Sequence, residues 1–293
     1  MTGAGATPGD VRRLLAVEEL DKDLYRSEAS PELPGRVFGG QVVAQALAAA
    51  TLGIGGEKVA HSLHAYFLRA GDNARPIIYR VLRDFDGGSF ANRRVVALQD
   101  GKPILNLAAS FQLREEGLSY AAPMPDVPGP EEAVPMDQLL AMPGQSVPGP
   151  IAARLAAFEV RAGQRHAGSP DSLPAQHAWF RLSATLDPGQ ARTALAYASD
   201  FGLVSTAILP HGIAWFTPEI QGASLDHTIW FHEDPPLGAW LLYAMDSPWS
   251  GHARGFSRGS VYDRSGRLIA SMAQEGLMRH RPRGLAADRA KPA

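Results

Sequence analysis

The 293-residue chain contains no cysteine. That excludes disulfides and thiolate nucleophiles and favours a reducing compartment. Its formal net charge is only −2, so no broad electrostatic attraction for nucleic acid exists, although local anion sites are compatible with it. No apolar run is long enough to cross a membrane. The opening "MTGAGATPGDVRR" lacks the apolar core of a signal peptide. The closing "RPRGLAADRAKPA" does not end in a Ser-Lys-Leu peroxisomal signal and reads as a mobile tail. A soluble, cytoplasmic protein is expected. What the chain does have is 45% hydrophobic and 20% charged residues. That suffices for a large core in one big domain or two ordinary ones.

Residues 11–27 form a short leading segment. "GGQVVAQALAAATLG" (39–53) is apolar nearly all round, broken by Gln41 and Gln45. Such a helix is buried on most sides. Strands follow. "HSLHAYFLR" (61–69) puts Leu63, Ala65 and Phe67 on one face and Ser62, His64 and Tyr66 on the other. "PIIYRVLRDF" and "SFANRRVVALQ" come next, and the turn "QDGK" (99–102) leads into "PILNLAASFQL". From Ala121 to about Pro150 the chain is proline-rich and reads as a linker. "IAARLAAFEVRAG" adds a short helix or strand.

The order of elements then repeats. "HAWFRLSATL" is a strand, and "DPGQARTALAYASDFGLV" is a helix entered through Pro-Gly. "ASLDHTIWFH", "GAWLLYAMDS", "ARGFSRGSVYDRSG" and "RLIASMAQEGLM" are strands. Gly101 and Gly266 sit in the two final hairpin turns, 165 positions apart, and that offset also brings Arg93 onto Arg258 and Ile104 onto Ile269. An offset of 149 brings Gly40 onto Gly189, Gln41 onto Gln190 and Thr51 onto Asp200. Matches in two places indicate an internal duplication. Only the second copy carries the acid, so chemistry that needs it has one site per chain. Asp200 follows the apolar stretch "TALAYAS" and precedes Phe201, Leu203 and Val204. An acid there is costly to bury unless hydrogen bonds stabilise it.

A helix followed by a long antiparallel sheet that wraps it is the hotdog arrangement. "RVFGGQVVAQAL", "HSLHAYFLRAGD", "SFANRRVVALQDGKPI", "ASLDHTIWFH" and "ASMAQEGLMR" together resemble the type II acyl-CoA thioesterases. The resemblance runs from about Leu15 to Arg279. It implies an α+β double hotdog: a first unit over 11–120, a linker over 121–170, a second unit over 171–280 and a tail over 281–293. It implies hydrolysis of acyl-CoA to a fatty acid and coenzyme A, with no metal and no organic cofactor, and a homo-oligomer, dimer or tetramer. Residue by residue, the family's aspartate falls on Asp200, its hydroxyl residue before "DH" on Ser224, and the glutamine of its final "QEG" on Gln274. Ser224 stands where some relatives carry threonine, and Ala70 where "LRPGD" is usual.

Thioester hydrolysis needs a positioned water, an acceptor for its proton and donors for the oxyanion. On this reading Asp200 is the general base, and Ser224 and Gln274 help it hold the water. Gly40 opens the first helix, where backbone N–H groups are unpaired, and is the candidate oxyanion donor; it reads equally well as a helix-entry glycine. His64 is a candidate on the border of the substrate. Phe38, Tyr66, Tyr197 and Phe201 are candidates for an apolar acyl channel, with an equally good reading as core. "LMRHRPR" is a candidate basic cluster for the coenzyme A phosphates and reads equally as a solvated tail.

Two other readings stay open. "GFSRG" (255–259) fits G-x-S-x-G, which would make Ser257 the nucleophile of a serine esterase. That elbow needs a strand–turn–helix context, and strand, turn and strand are expected here. A hotdog module that binds acyl-CoA without turnover is the second; a hydratase, which needs an acid–histidine site, is weaker. His61 and His64 point to opposite strand faces and do not form a metal pair. Asp226 and His227 likewise point apart, with Asp226 bracing the sheet.

Overall fold

Strand alternation and two apolar helices account for most of the computed structural model, which describes residues 11–33, 35–55, 57–141, 155–182, 186, 188–213, 217 and 219–281. A short helix α1 (Val11–Leu15) and the strands β1 (Glu18–Asp21) and β2 (Leu24–Arg26) lead into helix α2 (Gly39–Leu52). Strands β3 (Val59–Phe67), β4 (Ile78–Asp86), β5 (Phe90–Gln99) and β6 (Lys102–Gln112) follow. Beyond them come β7 (Val134–Pro135), helix α3 (Met136–Ala141), β8 (Phe158–His166) and β9 (Ala175–Leu182). Helices α4 (Pro188–Ala198) and α5 (Leu203–Ala207) precede β10 (Ile220–Ser224), β11 (Asp226–Phe231), β12 (Leu241–Gly251), β13 (Arg254–Asp263) and β14 (Leu268–His280).

The strands form one continuous antiparallel sheet. Its centre runs β4-β5-β6-β3-β11-β14-β13-β12, and β10 adds to β14. The two halves of that order have the same connectivity, with the first strand after each helix pairing with the last strand of its set. They join where β3 meets β11, from Asp226 opposite Tyr66 to Trp230 opposite Ser62. The internal repeat is therefore a structural one, wrapped around two helices that pack on each other.

Small residues allow this packing. Ala44, Ala46, Ala49 and Ala50 of α2 and Ala194, Ala196 and Ala198 of α4 are all buried in one core. At Gly40 an added Cβ would run into the Tyr197 carbonyl, so the start of α2 lies directly against the end of α4. Only glycine permits that approach.

The "GFSRG" stretch is plain strand in the middle of β13. Its glycines make room for neighbours: a Cβ on Gly255 would collide with Ala207 of α5, and one on Gly259 with the Tyr243 ring. The proline-rich stretch lies against the second half of the sheet. Met124 and Val127 pack on the cluster of Trp179, Trp240, Leu242 and Tyr262, and Trp179 donates to the Pro128 carbonyl at 2.9 Å. Residues 142–154 of that stretch, and 282–293 of the expected tail, lie outside the described residues.

One expected boundary differs. The helix read as running through Val204 ends at Ala198. Gly202, at φ 92°, reverses the backbone before α5 begins. Asp200 therefore sits in a turn just past a helix C-terminus and not inside a helix.

Candidate active site

A carboxylate is disfavoured at a helix C-terminus, by roughly 0.3–1 kcal/mol, so Asp200 needs compensation. It comes from three donors on three separate elements. The Gly40 backbone N–H, at the N-terminus of α2, donates to Asp200 Oδ2 at 2.8 Å. Ser224, the last residue of β10, donates through Oγ to Oδ1 at 3.2 Å. Gln274, in the middle of β14, donates through Nε2 to Oδ1 at 2.6 Å. Hydrogen bonds to a charged group contribute about 1.5–3 kcal/mol each, so together they outweigh the helix-end penalty. Asp200, Ser224 and Gln274, 74 positions apart at the extremes, are thus brought onto one carboxylate.

The carboxylate faces a cavity of about 840 Å³, whose wall includes Phe38, Gly39, Phe67, Asp200, Phe201 and Ser224. Phe38 stacks on Phe201 with ring centroids 5.1 Å apart. Tyr197 lies behind them, fully buried and edge-on to Phe38. Gln274 and Gly40 are not in the cavity wall, and Gln274 is only 1% exposed. It reaches Asp200 from the core side. Arg36, Arg69 and Arg165 supply the cationic part of the lining.

Several expectations change. The Gly40 N–H is engaged by Asp200, so it is not a free oxyanion donor; the abutting helix ends turn it toward the carboxylate. His64 does not border the cavity. It stands on the outer face of β3, edge-on to Trp230 at 5.4 Å. Tyr66 is on that same outer face and 65% exposed. The period-2 pattern divided β3 into these two faces correctly, but only the Phe67 face turns inward. Ser257 lies in the strand β13, and its Oγ is buried. Asp226 accepts the Glu275 backbone N–H at 2.6 Å and so ties β11 to β14; burial raises its pKa above the usual carboxylate value. Among the described residues no cluster of three or more metal-ligating side chains occurs.

Two residues escaped the sequence reading. Gly39 lines the cavity, and a Cβ placed on it would lie 2.7 Å from Asp200 Oδ2 and 3.0 Å from the Phe67 ring. The glycine keeps open the space beside that oxygen; the Gly-Gly doublet was the available signal. His227 is fully buried and contacts both Gln274 and Ser199. Burial lowers its pKa below the ordinary 6.5, with the Asp200 charge opposing that shift.

Comparison with known proteins places this arrangement in a family. Residues 29–112 match the model of the acyl-CoA thioesterase N-terminal domain, and residues 130–278 that of the acyl-CoA thioesterase C-terminal domain. The chain is 38% identical to human acyl-coenzyme A thioesterase 8 over 95% of its own length and 93% of that protein's. It resembles the crystal structure of an acyl-CoA thioesterase II from Mycobacterium marinum, with a TM-score of 0.78 and 35% identity over 94% of this chain and 99% of that one. A hot dog protein of unknown function from Alicyclobacillus acidocaldarius superposes with a TM-score of 0.75 over 92% and 98% of the two chains; at 21% identity it speaks for the fold alone. With both domain models matched in order and relatives aligned over nearly its full length, the chain belongs to the type II acyl-CoA thioesterase family and has the double hotdog fold.

Proposed function

We propose that this protein hydrolyses acyl-CoA to the free acid and coenzyme A, with Asp200 as general base. The observation that carries the reading is a carboxylate held by three donors on the wall of a largely apolar cavity. Asp200 takes the proton of a water as it attacks the thioester carbonyl. Ser224, also on the wall, orients that water, while Gln274 fixes the carboxylate from behind. On this reading the oxyanion forms at the start of α2, where Gly39 lines the cavity and the helix dipole favours negative charge. Arg36, Arg69 and Arg165, all on the cavity wall, are the proposed contacts of the coenzyme A phosphates. The family resemblance implies a reaction without metal or organic cofactor.

Two hotdog units over 11–120 and 171–280, a linker over 121–170 and a tail over 281–293 are the proposed division of the chain. The repeated strand order supports two units; β7 and β8, which extend the sheet beside β9, fall inside the proposed linker. A cytoplasmic homo-oligomer, dimer or tetramer, is the proposed cellular form. The cysteine-free composition supports the compartment, and the family resemblance supports the assembly.

The test is thiol release from acyl-CoA by wild type, Asp200→Asn and Ser257→Ala. Asp200→Asn should lose on the order of 10²–10⁴-fold in kcat, and Ser257→Ala should retain turnover. Normal turnover by Asp200→Asn contradicts the mechanism. Loss of turnover by a folded Ser257→Ala favours the serine esterase. Tight binding by wild type without turnover favours a binding module.

A further inference from the structure

Behind Asp200 lies a chain of buried hydrogen bonds that one set of donors satisfies throughout. The Ser199 hydroxyl donates to the Ala196 carbonyl at 2.9 Å. With its single proton so used, its contact with His227 Nε2, at 2.8 Å, runs from the ring N–H to the Ser199 oxygen. A neutral imidazole that carries its proton on Nε2 has a lone pair on Nδ1. That lone pair faces Gln274 Nε2 at 3.1 Å. The same amide nitrogen donates to Asp200 Oδ1 at 2.6 Å. Both hydrogens of the amide therefore have acceptors, one on each side. Ser199 is itself anchored, since its carbonyl accepts the Tyr243 hydroxyl at 2.6 Å.

We infer that His227 is a positioning residue: as an Nε2–H imidazole it locks the Gln274 amide with its nitrogen toward Asp200. The inference rests on the reading of Asp200 as the base. The alternative states of the ring show what the lock does. An imidazole protonated on Nδ1 would present a donor to a donor. Gln274 could relieve that clash only by turning its amide, which would bring its carbonyl oxygen against the Asp200 carboxylate. Ser199 prevents this by fixing the tautomer. Burial of the ring, complete here, works in the same direction, because it lowers the pKa and disfavours the charged form. His227 is fully buried and lies outside the cavity wall, and it acts through Gln274 on the aim of the Asp200 carboxylate. A reacting group displaced by about 1 Å can lose on the order of 10²-fold in rate.

Two measurements test the inference. The first needs no substitution: nitrogen-15 spectra of histidine-labelled wild type at pH 8, with the His227 signals assigned by their absence in His227→Asn. The expected result is a protonated Nε2 and an unprotonated Nδ1. A proton on Nδ1 overturns the inference. The second compares variants of matched polarity. In His227→Asn the side-chain oxygen can take the place of Nδ1 and accept from Gln274. In His227→Gln the polar end reaches toward Ser199 and the Nδ1 acceptor is lost. Steady-state thiol release should show His227→Gln down by roughly 10²-fold in kcat, with KM little changed and His227→Asn at least several-fold more active. A purely space-filling role would favour the larger glutamine. Equal kcat values, or a loss confined to KM, overturn the inference. If Asp200→Asn retains turnover, the reading beneath fails first; if Asp200→Asn is inactive but the two His227 variants are equal, only the positioning role fails.

Discussion

At the scale of single residues, the site is a solution to an electrostatic problem. Asp200 stands past the end of α4, where the helix dipole repels it, and the start of α2 supplies the compensating N–H from Gly40. The neighbouring Gly39 has a different task, because it leaves room beside the same carboxylate oxygen. Gly39→Ala should therefore reduce kcat by roughly 10²-fold, because the new methyl would lie 2.7 Å from Asp200 Oδ2 and push the carboxylate aside. Thiol-release kinetics check this, and a variant with wild-type kcat refutes it. Asp200, Ser224 and Gln274 were legible in the sequence because each lies in a distinctive motif. His227 was not, because its role depends on which strand face turns inward and on partners at Ser199 and Gln274. His64 shows the converse. Alternation separates two faces of β3, but the sheet's curvature around the helices decides which one meets the cavity.

At the scale of elements, the positions of α5, β13 and β14 depend on missing side chains. Gly276 of β14 lies against Val204 of α5, and a Cβ there would be well inside contact with Val204 Cγ1. Gly255 does the same for Ala207. Overpacking of this kind costs about 1–3 kcal/mol. Gly276→Ala should be destabilised by that amount in chemical denaturation. Gly55→Ala, with nothing within 4 Å of the new Cβ, should behave like wild type. Equal stability of the two variants would contradict the packing account. These glycines also explain why "GFSRG" imitates a nucleophile elbow. The pattern is shared, but the spacing serves the contact of a strand with α5 and Tyr243. Strands and hairpins were legible from alternation and from turn residues such as Gly101 and Gly266, both at positive φ. The end of α4 was not, because apolar residues resume after Asp200 at Phe201, Leu203 and Val204, and the reversal comes from Gly202, at φ 92°.

At the scale of the whole molecule, duplication built two wrapped helices and left one acid. Thr51, in the position matched to Asp200, bonds back to the Leu47 carbonyl within its own helix at 2.8 Å. Gly189, matched to Gly40, has nothing within 4 Å of where a Cβ would stand. The copies diverged elsewhere too. Arg93 is buried and paired with Asp86 at 2.5 Å, whereas its match Arg258 is half exposed beside Asp246. The acid of the second half is completed by the helix start of the first, so the site belongs to the joined molecule and to neither copy alone. The central claim is that Asp200 activates water and never bonds to the acyl group. Single-turnover hydrolysis in ¹⁸O-water, with enzyme in excess over acyl-CoA, tests it by mass spectrometry of the fatty acid and of the peptide that contains Asp200. The account predicts one ¹⁸O atom in the released acid and none in Asp200; ¹⁸O in the Asp200 carboxylate would contradict it.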